Sequence, residues 1–262
     1  MFAGISLGAE DLLLLEPFQV AYLPQRVPPE DLAALMRAHP FVKDFLAARN
    51  PAVRGFIQSV LSAHGEIADA DTIRKRCDDL LWEIADLIVY NKCPEIYDEK
   101  VDFNWDIGEI IEPGLLAGKV VADVGAGSGR LAFLLADYAQ TVYAIEPITA
   151  FRGFMRAKAK REKRANIFVV DGFLDAIPFP DDFLDFLFTS NAVGWNIRAE
   201  LGEVKRVVKP GGEAIHIMRV QDMGDNPVHE ELTGGNAGYR FRKNRDGSGM
   251  KLTYRKKILK MT

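Results

Sequence analysis

Val120-Val121-Ala122-Asp123-Val124-Gly125-Ala126-Gly127-Ser128-Gly129-Arg130 is an apolar run carrying one acid, then a turn with three glycines, then the start of an apolar helical segment. The first part reads as a buried strand. Glycine opens backbone conformations closed to other residues and removes the Cβ that would hold a ligand off the chain. In an open α/β sheet, ligands bind beyond the carboxyl ends of strands where the strand order reverses, and the first strand-to-helix turn is such a place.

Outward from this turn the same alternation continues. Strands are expected at Val120–Asp123, Thr141–Glu146, Ile167–Asp171, Phe183–Thr189 and Glu213–Met218, with helices at Leu131–Tyr138, Thr149–Arg164 and Arg198–Val208. Strands and helices in turn imply βαβ units and a parallel sheet covered on both faces. At the end of the chain, Tyr239–Lys243 and Lys251–Lys257 flank Asp246-Gly247-Ser248-Gly249, which signals an antiparallel hairpin. Before the sheet the pattern is helical. From Pro28 to Lys92 the apolar residues recur at helical spacing, giving three or four helices. The clearest starts at Asp71 as a cap and carries Ile73, Cys77, Leu80, Leu81, Ile84, Leu87 and Ile88 on one stripe. The expected division is a helical extension or lid at 1–93 and a ligand-binding domain at 94–262.

The loop spacing is G-x-G-x-G, whereas a dinucleotide turn calls for G-x-G-x-x-G with a pyrophosphate on the helix N-terminus. Asp123 beside the loop would repel a pyrophosphate and suits a ligand carrying an ammonium and a sulfonium. Glu146 ends the second strand, where a carboxylate can accept from both hydroxyls of a ribose. Asp171 ends the third, where it can accept from an adenine amino group. Each acid alone reads as a turn or cap residue; three ending successive strands after a glycine loop read as one site.

This order of motifs resembles the class I methyltransferases that use S-adenosylmethionine. Val121 to Gly129 is similar to their first motif, Glu146 to the ribose acid and Asp171 to the adenine-region acid. Ile177-Pro178-Phe179-Pro180-Asp181-Asp182-Phe183-Leu184-Asp185 resembles their lead-in to strand four, and Glu203 to Gly212 their helix and turn before strand five. The likeness runs from about Lys119 to Met218 and leaves the helical extension uncovered. It implies an α/β fold: a doubly wound, mostly parallel seven-stranded sheet with helices on both faces and a C-terminal antiparallel hairpin, plus the N-terminal extension. It implies S-adenosylmethionine as cofactor, held by Asp123, Gly125, Ala126, Gly127, Gly129, Glu146, Pro147, Asp171, Gly172, Phe173, Ser190 and Asn191. The chemistry implied is transfer of an already electrophilic methyl group, for which the protein positions an acceptor and excludes water.

The acceptor side is less defined. Ser190-Asn191-Ala192-Val193-Gly194-Trp195-Asn196 follows strand four and lacks the Asn/Asp-Pro-Pro-Tyr/Phe motif of enzymes that methylate base amino groups. Trp195, Trp105 and Tyr97 are candidates for the substrate pocket, against a role in packing. His216, two residues short of Met218 in the fifth strand, could point at the site, though a satisfied core residue is the simpler reading; His39, His64 and His229 have no partner that the sequence names, and no residue is assigned as a catalytic base. Basic residues crowd Arg152–Arg164 and Arg240–Lys260; a solvated face is the simpler reading, a phosphate-tracking surface the sharper one. A small-molecule acceptor is favoured, with an RNA or protein methyltransferase and a non-catalytic cofactor-binding module as alternatives.

Composition sets outer limits. The 262 residues are 48% hydrophobic and 27% charged with formal net charge -4, so the overall balance gives no sign of nucleic-acid binding. Cys77 and Cys93 fit neither a zinc knuckle nor a disulfide framework, and no metal is expected. No apolar stretch approaches the roughly 20 residues of a membrane span, and a cytoplasmic location is expected. The oligomeric state is left open.

Overall fold

Proline opens four of the N-terminal helices: Pro17, Pro29, Pro40 and Pro94 each sit at a first helical turn, where the missing N–H has no partner to lose. The structure is a computed structural model that describes residues 4–101, 105–222, 224, 226–234, 237–246 and 249–260. It divides into two units, Met1–Val101 and Asp102–Thr262.

The first unit is helical: α1 (Pro17–Arg26), α2 (Pro29–Ala38), α3 (Pro40–Arg49), α4 (Arg54–Ala63), α5 (Ala70–Glu83), α6 (Ala85–Lys92) and α7 (Pro94–Lys100), with a 3-10 turn at Ala9–Leu14. The expectation of three or four helices is therefore low. The long stripe from Ile73 to Ile88 is two helices, broken at Ile84, and the cap is Asp69, whose carboxylate accepts from the Thr72 amide at 2.9 Å, not Asp71. The stripe continues in phase across the break, so periodicity alone does not reveal it. The unit has its own core, built on Leu12, Val20, Leu35, Leu46, Ile57, Leu80 and Ile88. Fully buried Gln19 stitches α1 to α6: its Nε2 donates to the Leu87 carbonyl at 3.2 Å and its Oε1 accepts from Asn91 at 2.8 Å. Helix α7 stands with this unit, whereas the expected boundary at residue 93 assigns it to the next.

The second unit opens with a short helix α8 (Ile107–Ile110) and then builds the sheet. The elements are β1 (Val120–Val124), α9 (Arg130–Leu135), β2 (Thr141–Ile145), α10 (Thr149–Arg161), β3 (Ile167–Val170), β4 (Leu184–Ser190), α11 (Ile197–Val207), β5 (Val208–Val220), α12 (Pro227–Thr233), β6 (Arg240–Asp246) and β7 (Gly249–Lys257). The seven strands lie in the order β3-β2-β1-β4-β5-β7-β6. Strands β1 to β5 pair in parallel, and β7 pairs antiparallel with both β5 and β6. The order reverses between β1 and β4, which puts a crevice at the ends of those strands.

Alternation along β1 sends successive side chains to opposite faces. Val121 joins one core with Leu131, Leu135 and Met155 of α9 and α10; Ala122 and Val124 join the other with Val204 and Val207 of α11 and Leu232 of α12. Strand β5 begins earlier than expected. Val208 already pairs with Leu184, and the register then shifts so that Glu213 faces Phe186, the intervening Pro210-Gly211-Gly212 forming an irregularity inside the strand. The hairpin is present; Gly247 and Ser248 of its expected turn lie outside the described residues. Edge strand β6 carries Arg240, Arg242, Lys243 and Arg245, charges that discourage strand-to-strand pairing at an open edge. Among the described residues, no helix is long and apolar enough to cross a membrane.

Candidate functional site

The turn after β1 is drawn over the end of β2. Gly125 and Ala126 both donate their amides to the Ile145 carbonyl, at 2.9 and 3.1 Å. Gly125, Gly127 and Gly129 have φ of 74°, 55° and 87°, in the region that favours glycine. At two of them neighbouring protein already demands the absence of a side chain. A Cβ on Gly125 would lie 2.4 Å from the Cβ of Ala192, and one on Gly129 would lie 2.8 Å from the Met155 sulfur. The glycine pattern thus closes β1 against the segment after β4 and against α10.

Three carboxylates converge on this end of the sheet, and each is held differently. Asp123 points to the same face as Val121 and is fully buried, and neither of its oxygens has a hydrogen-bond partner. Burial pushes its carboxyl up to about 7; the nearby Ala132 amide opposes this without reaching hydrogen-bond geometry, and the Glu146 charge adds to it. Glu146 is also buried and pushed up to about 7 by desolvation, against two backbone donors. Its Oε2 accepts from the Gly127 amide at 2.7 Å and its Oε1 from the Ile148 amide at 2.9 Å. Each oxygen keeps a further lone pair. Asp171 is largely exposed, and its Oδ1 accepts from Arg152 Nη1 at 3.0 Å. Gly172 follows, where a Cβ would press on Pro178 and Ile145, and then Phe173, whose ring is exposed.

The end of β4 supplies the other wall. Trp105 donates its indole N–H to Ser190 Oγ at 3.0 Å, a contact that the sequence reading did not anticipate. Asn191 has φ of 52°, and its side-chain oxygen accepts from the Arg219 amide at 2.7 Å, which ties it to β5. Trp195 is 65% exposed. Tyr97 lies on α7 of the first unit, its ring edge-on to Tyr90 at 5.0 Å.

Two residues at the site are invisible to motif reading. Arg152 is almost buried on α10 and donates through Nη1 to the carbonyls of Glu146 at 2.8 Å and Pro147 at 2.6 Å as well as to Asp171. The sequence pools it with six other basic residues of that segment. The signal that separates it is phase: Arg152, Met155 and Ala159 share the buried stripe of the helix. Glu200 is also buried, and its carboxylate accepts from three successive amides, Gly194 at 2.7 Å, Trp195 at 2.9 Å and Asn196 at 2.8 Å. An acid in the first turn of α11 is ordinary, and only the geometry shows that it locks the loop after β4.

His216 is a satisfied core residue. Its Nδ1 lies 2.9 Å from Thr189 Oγ1 and its Nε2 3.1 Å from Tyr239 OH, and burial drives its pKa down to about 3. Such an imidazole stays neutral and has both nitrogens engaged. His229, for which the sequence names no partner, places Nδ1 3.0 Å from Tyr254 OH. Many of the pooled cations are held by the fold: Arg156 donates to the Val169 carbonyl, Lys158 lies over the Phe133 ring, Arg164 pairs with Asp137, Lys251 with Glu109 and Arg255 with Glu213. Cys77 and Cys93 are free, buried thiols whose pKa burial raises. Among the described residues, no group of three or more His, Cys, Asp or Glu could hold a metal ion.

Comparison with known proteins agrees with this geometry. Residues 122–216 match the family described as a methyltransferase domain. The chain is 27% identical over 170 residues to a malonyl-[acyl-carrier protein] O-methyltransferase of Halorhodospira halophila, covering 62% of this chain and 53% of that protein. It is 29% identical over 119 residues to a ubiquinone/menaquinone biosynthesis C-methyltransferase of Cupriavidus taiwanensis, covering 42% of this chain and 47% of that one. The chain spans about half the length of these curated relatives. Among solved structures, an S-adenosylmethionine-dependent methyltransferase from Aquifex aeolicus is similar at 24% identity and a TM-score of 0.47, over 65% of this chain and 92% of that one. The glycine turn over β2 and the carboxylates at the three strand ends lie within residues 122–216, the segment that matches the methyltransferase domain, on a class I, Rossmann-like fold.

Proposed function

We propose that the protein is an S-adenosylmethionine-dependent methyltransferase acting on a small-molecule acceptor. The observation that carries the cofactor reading is Asp123. A fully buried carboxyl with both oxygens unpartnered is costly, and it lies at the end of β1 beside the glycine turn. A ligand bearing positive charge there would offset that cost. The acceptors fit the rest of the molecule: Glu146 retains lone pairs for ribose hydroxyls, and Asp171 retains one carboxylate oxygen beyond Arg152 for an adenine amino group, with Phe173 partly exposed nearby in sequence.

When bound, S-adenosylmethionine supplies a methyl group already activated by its sulfonium. The work left to this chain is to orient and to exclude water. Glu146 holds the turn through Gly127, and Trp105 braces Ser190 at the end of β4. Glu200 fixes the loop that presents Trp195, and that loop is the acceptor wall in this reading. His216 is spent on Thr189 and Tyr239 and takes no proton near neutral pH. The relatives named for malonyl-[acyl-carrier protein] and for ubiquinone/menaquinone support an acceptor among carboxylic acids or quinols. The first unit is read as the part that selects the acceptor, and the protein as one that works in the cytoplasm.

Calorimetric titration with S-adenosylhomocysteine, with NAD as control, tests the cofactor. Micromolar binding of the former alone is expected; binding of neither would overturn the reading. Release of S-adenosylhomocysteine across a panel of carboxylic acids and quinols tests the acceptor class, and cofactor binding without turnover on any of them would favour a non-catalytic binding module. A chain starting at Asp102 should still bind S-adenosylhomocysteine and lose acceptor selectivity.

A further inference from the structure

Arg152 joins the ends of two strands. Its guanidinium reaches the carbonyls of Glu146 and Pro147 just after β2, the Asp171 carboxylate just after β3, and Thr149 Oγ1 on its own helix at 3.1 Å. The arginine side chain is 11% exposed and the aspartate side chain 69% exposed. One partner is rigid and buried while the other stands at the surface of the site. An exposed aspartate on a loop would ordinarily rotate freely and present either oxygen in many directions. Here Oδ1 is committed to Arg152, so Oδ2 is the oxygen not engaged by the arginine on this largely exposed side chain.

We propose that Arg152 is a positioning residue that makes the site selective for adenine over 6-oxo purines, by fixing the Asp171 carboxylate as a one-directional hydrogen-bond acceptor at the end of β3. The proposal rests on the cofactor reading above and adds how the base is told apart. An adenine amino group donates, and an oriented carboxylate oxygen accepts. A hypoxanthine carries a carbonyl at the same place, and two acceptors facing each other repel. Arg152 itself need not touch the base. It has no acceptor capacity and stays charged, so whatever stands at position 171 must turn an oxygen towards it.

That last point gives a sharp test. In Asp171→Asn the amide must turn its oxygen to Arg152, which leaves the NH2 facing the ligand. The outward group is then a donor, and the preference should reverse. Calorimetry with S-adenosylhomocysteine and S-inosylhomocysteine reads this directly. The unmodified protein should favour the adenosyl ligand by roughly 10- to 100-fold, the range of one charge-assisted hydrogen bond. Asp171→Asn should bind the inosyl ligand as well as or better than the adenosyl one. Arg152→Gln should bring the two affinities within about threefold of each other, mainly by weakening the adenosyl ligand. Adding Arg152→Gln to Asp171→Asn should abolish the reversal.

A merely structural arginine would lower both affinities equally and leave their ratio alone, and that result would overturn the proposal. So would an Asp171→Asn protein that keeps the adenosyl preference; this variant changes an exposed side chain, so it remains decisive if Arg152→Gln fails to fold. Failure of the underlying cofactor reading looks different: the unmodified protein would bind neither ligand.

Discussion

Gly127 donates its amide to a carboxylate oxygen of Glu146 at 2.7 Å, so the turn after β1 and the end of β2 behave as one piece. Glu146 therefore has a structural task besides any ligand contact. Replacing it with alanine strands the part-buried amide of Gly127 and the buried amide of Ile148. Glu146→Ala should weaken S-adenosylhomocysteine binding by about 1–3 kcal/mol, and it should lower the denaturant midpoint of the ligand-free protein as well. Calorimetry and urea titration of the same preparation separate the two effects. Unchanged affinity would mean that the ribose is held elsewhere.

Gly127 itself has φ of 55°. A β-branched residue there is strained by about 1–2 kcal/mol and would disturb the amide that meets Glu146. Gly127→Val should abolish detectable binding of S-adenosylhomocysteine while the folded state survives by circular dichroism. A variant that binds normally would refute the turn as the cofactor cradle.

The pH dependence has a defined sign. Asp123 and Glu146, both driven up to about 7 by burial, bind more protons folded than unfolded between about pH 4 and 7. Their contribution to stability therefore falls as pH rises through that window. His216 acts oppositely: with its pKa pushed down to about 3, it is neutral when folded and protonated when unfolded, so its contribution is lost as pH falls below about 6.5. S-adenosylhomocysteine carries no sulfonium, but its α-ammonium favours an ionised carboxylate beside the turn. Affinity for S-adenosylhomocysteine should rise from pH 5.5 to 7.5, with proton release near pH 6.5 measured by calorimetry in buffers of different ionisation enthalpy. Asp123→Asn should reduce that release, and release identical in the two proteins would show that Asp123 does not titrate on binding.

Glu200 and its three amides make a local prediction. In Glu200→Ala, hydrogen exchange at Gly194, Trp195 and Asn196 should accelerate by roughly 10- to 100-fold, as expected for losing charge-assisted hydrogen bonds. Binding of S-adenosylhomocysteine should change little, because the loop is proposed to wall the acceptor and not the cofactor. Unchanged protection at these amides would remove Glu200 from the account of that wall.

The strands of the second unit were legible because their residues repeat on a short local pattern and end in acids or glycines. Val120–Val124 and Thr141–Ile145 begin at the residues read from the sequence. What escaped depends on partners far along the chain. Val208 joins β5 because Leu184 lies beside it, and the Pro210-Gly211-Gly212 segment looks like a turn until that pairing is known. Ile84 breaks a helix whose apolar stripe does not change phase. Arg152 and Glu200 are common residues in common places, distinguished only by which backbone carbonyls and amides surround them. Motifs mark the residues proposed to face the ligand, while the contacts that hold them lie where no spacing encodes them.

The insertion of β7 between β5 and β6 has a temporal consequence. Strand β5 has β4 on one flank as soon as it is made, but its other flank stays bare until synthesis has passed Lys257. During that interval the nascent chain carries a long strand with an unsatisfied backbone row, an invitation to pair with a neighbouring polypeptide. Ribosome-bound chains halted before β7 should therefore engage holding chaperones, and release should coincide with emergence of the last hairpin.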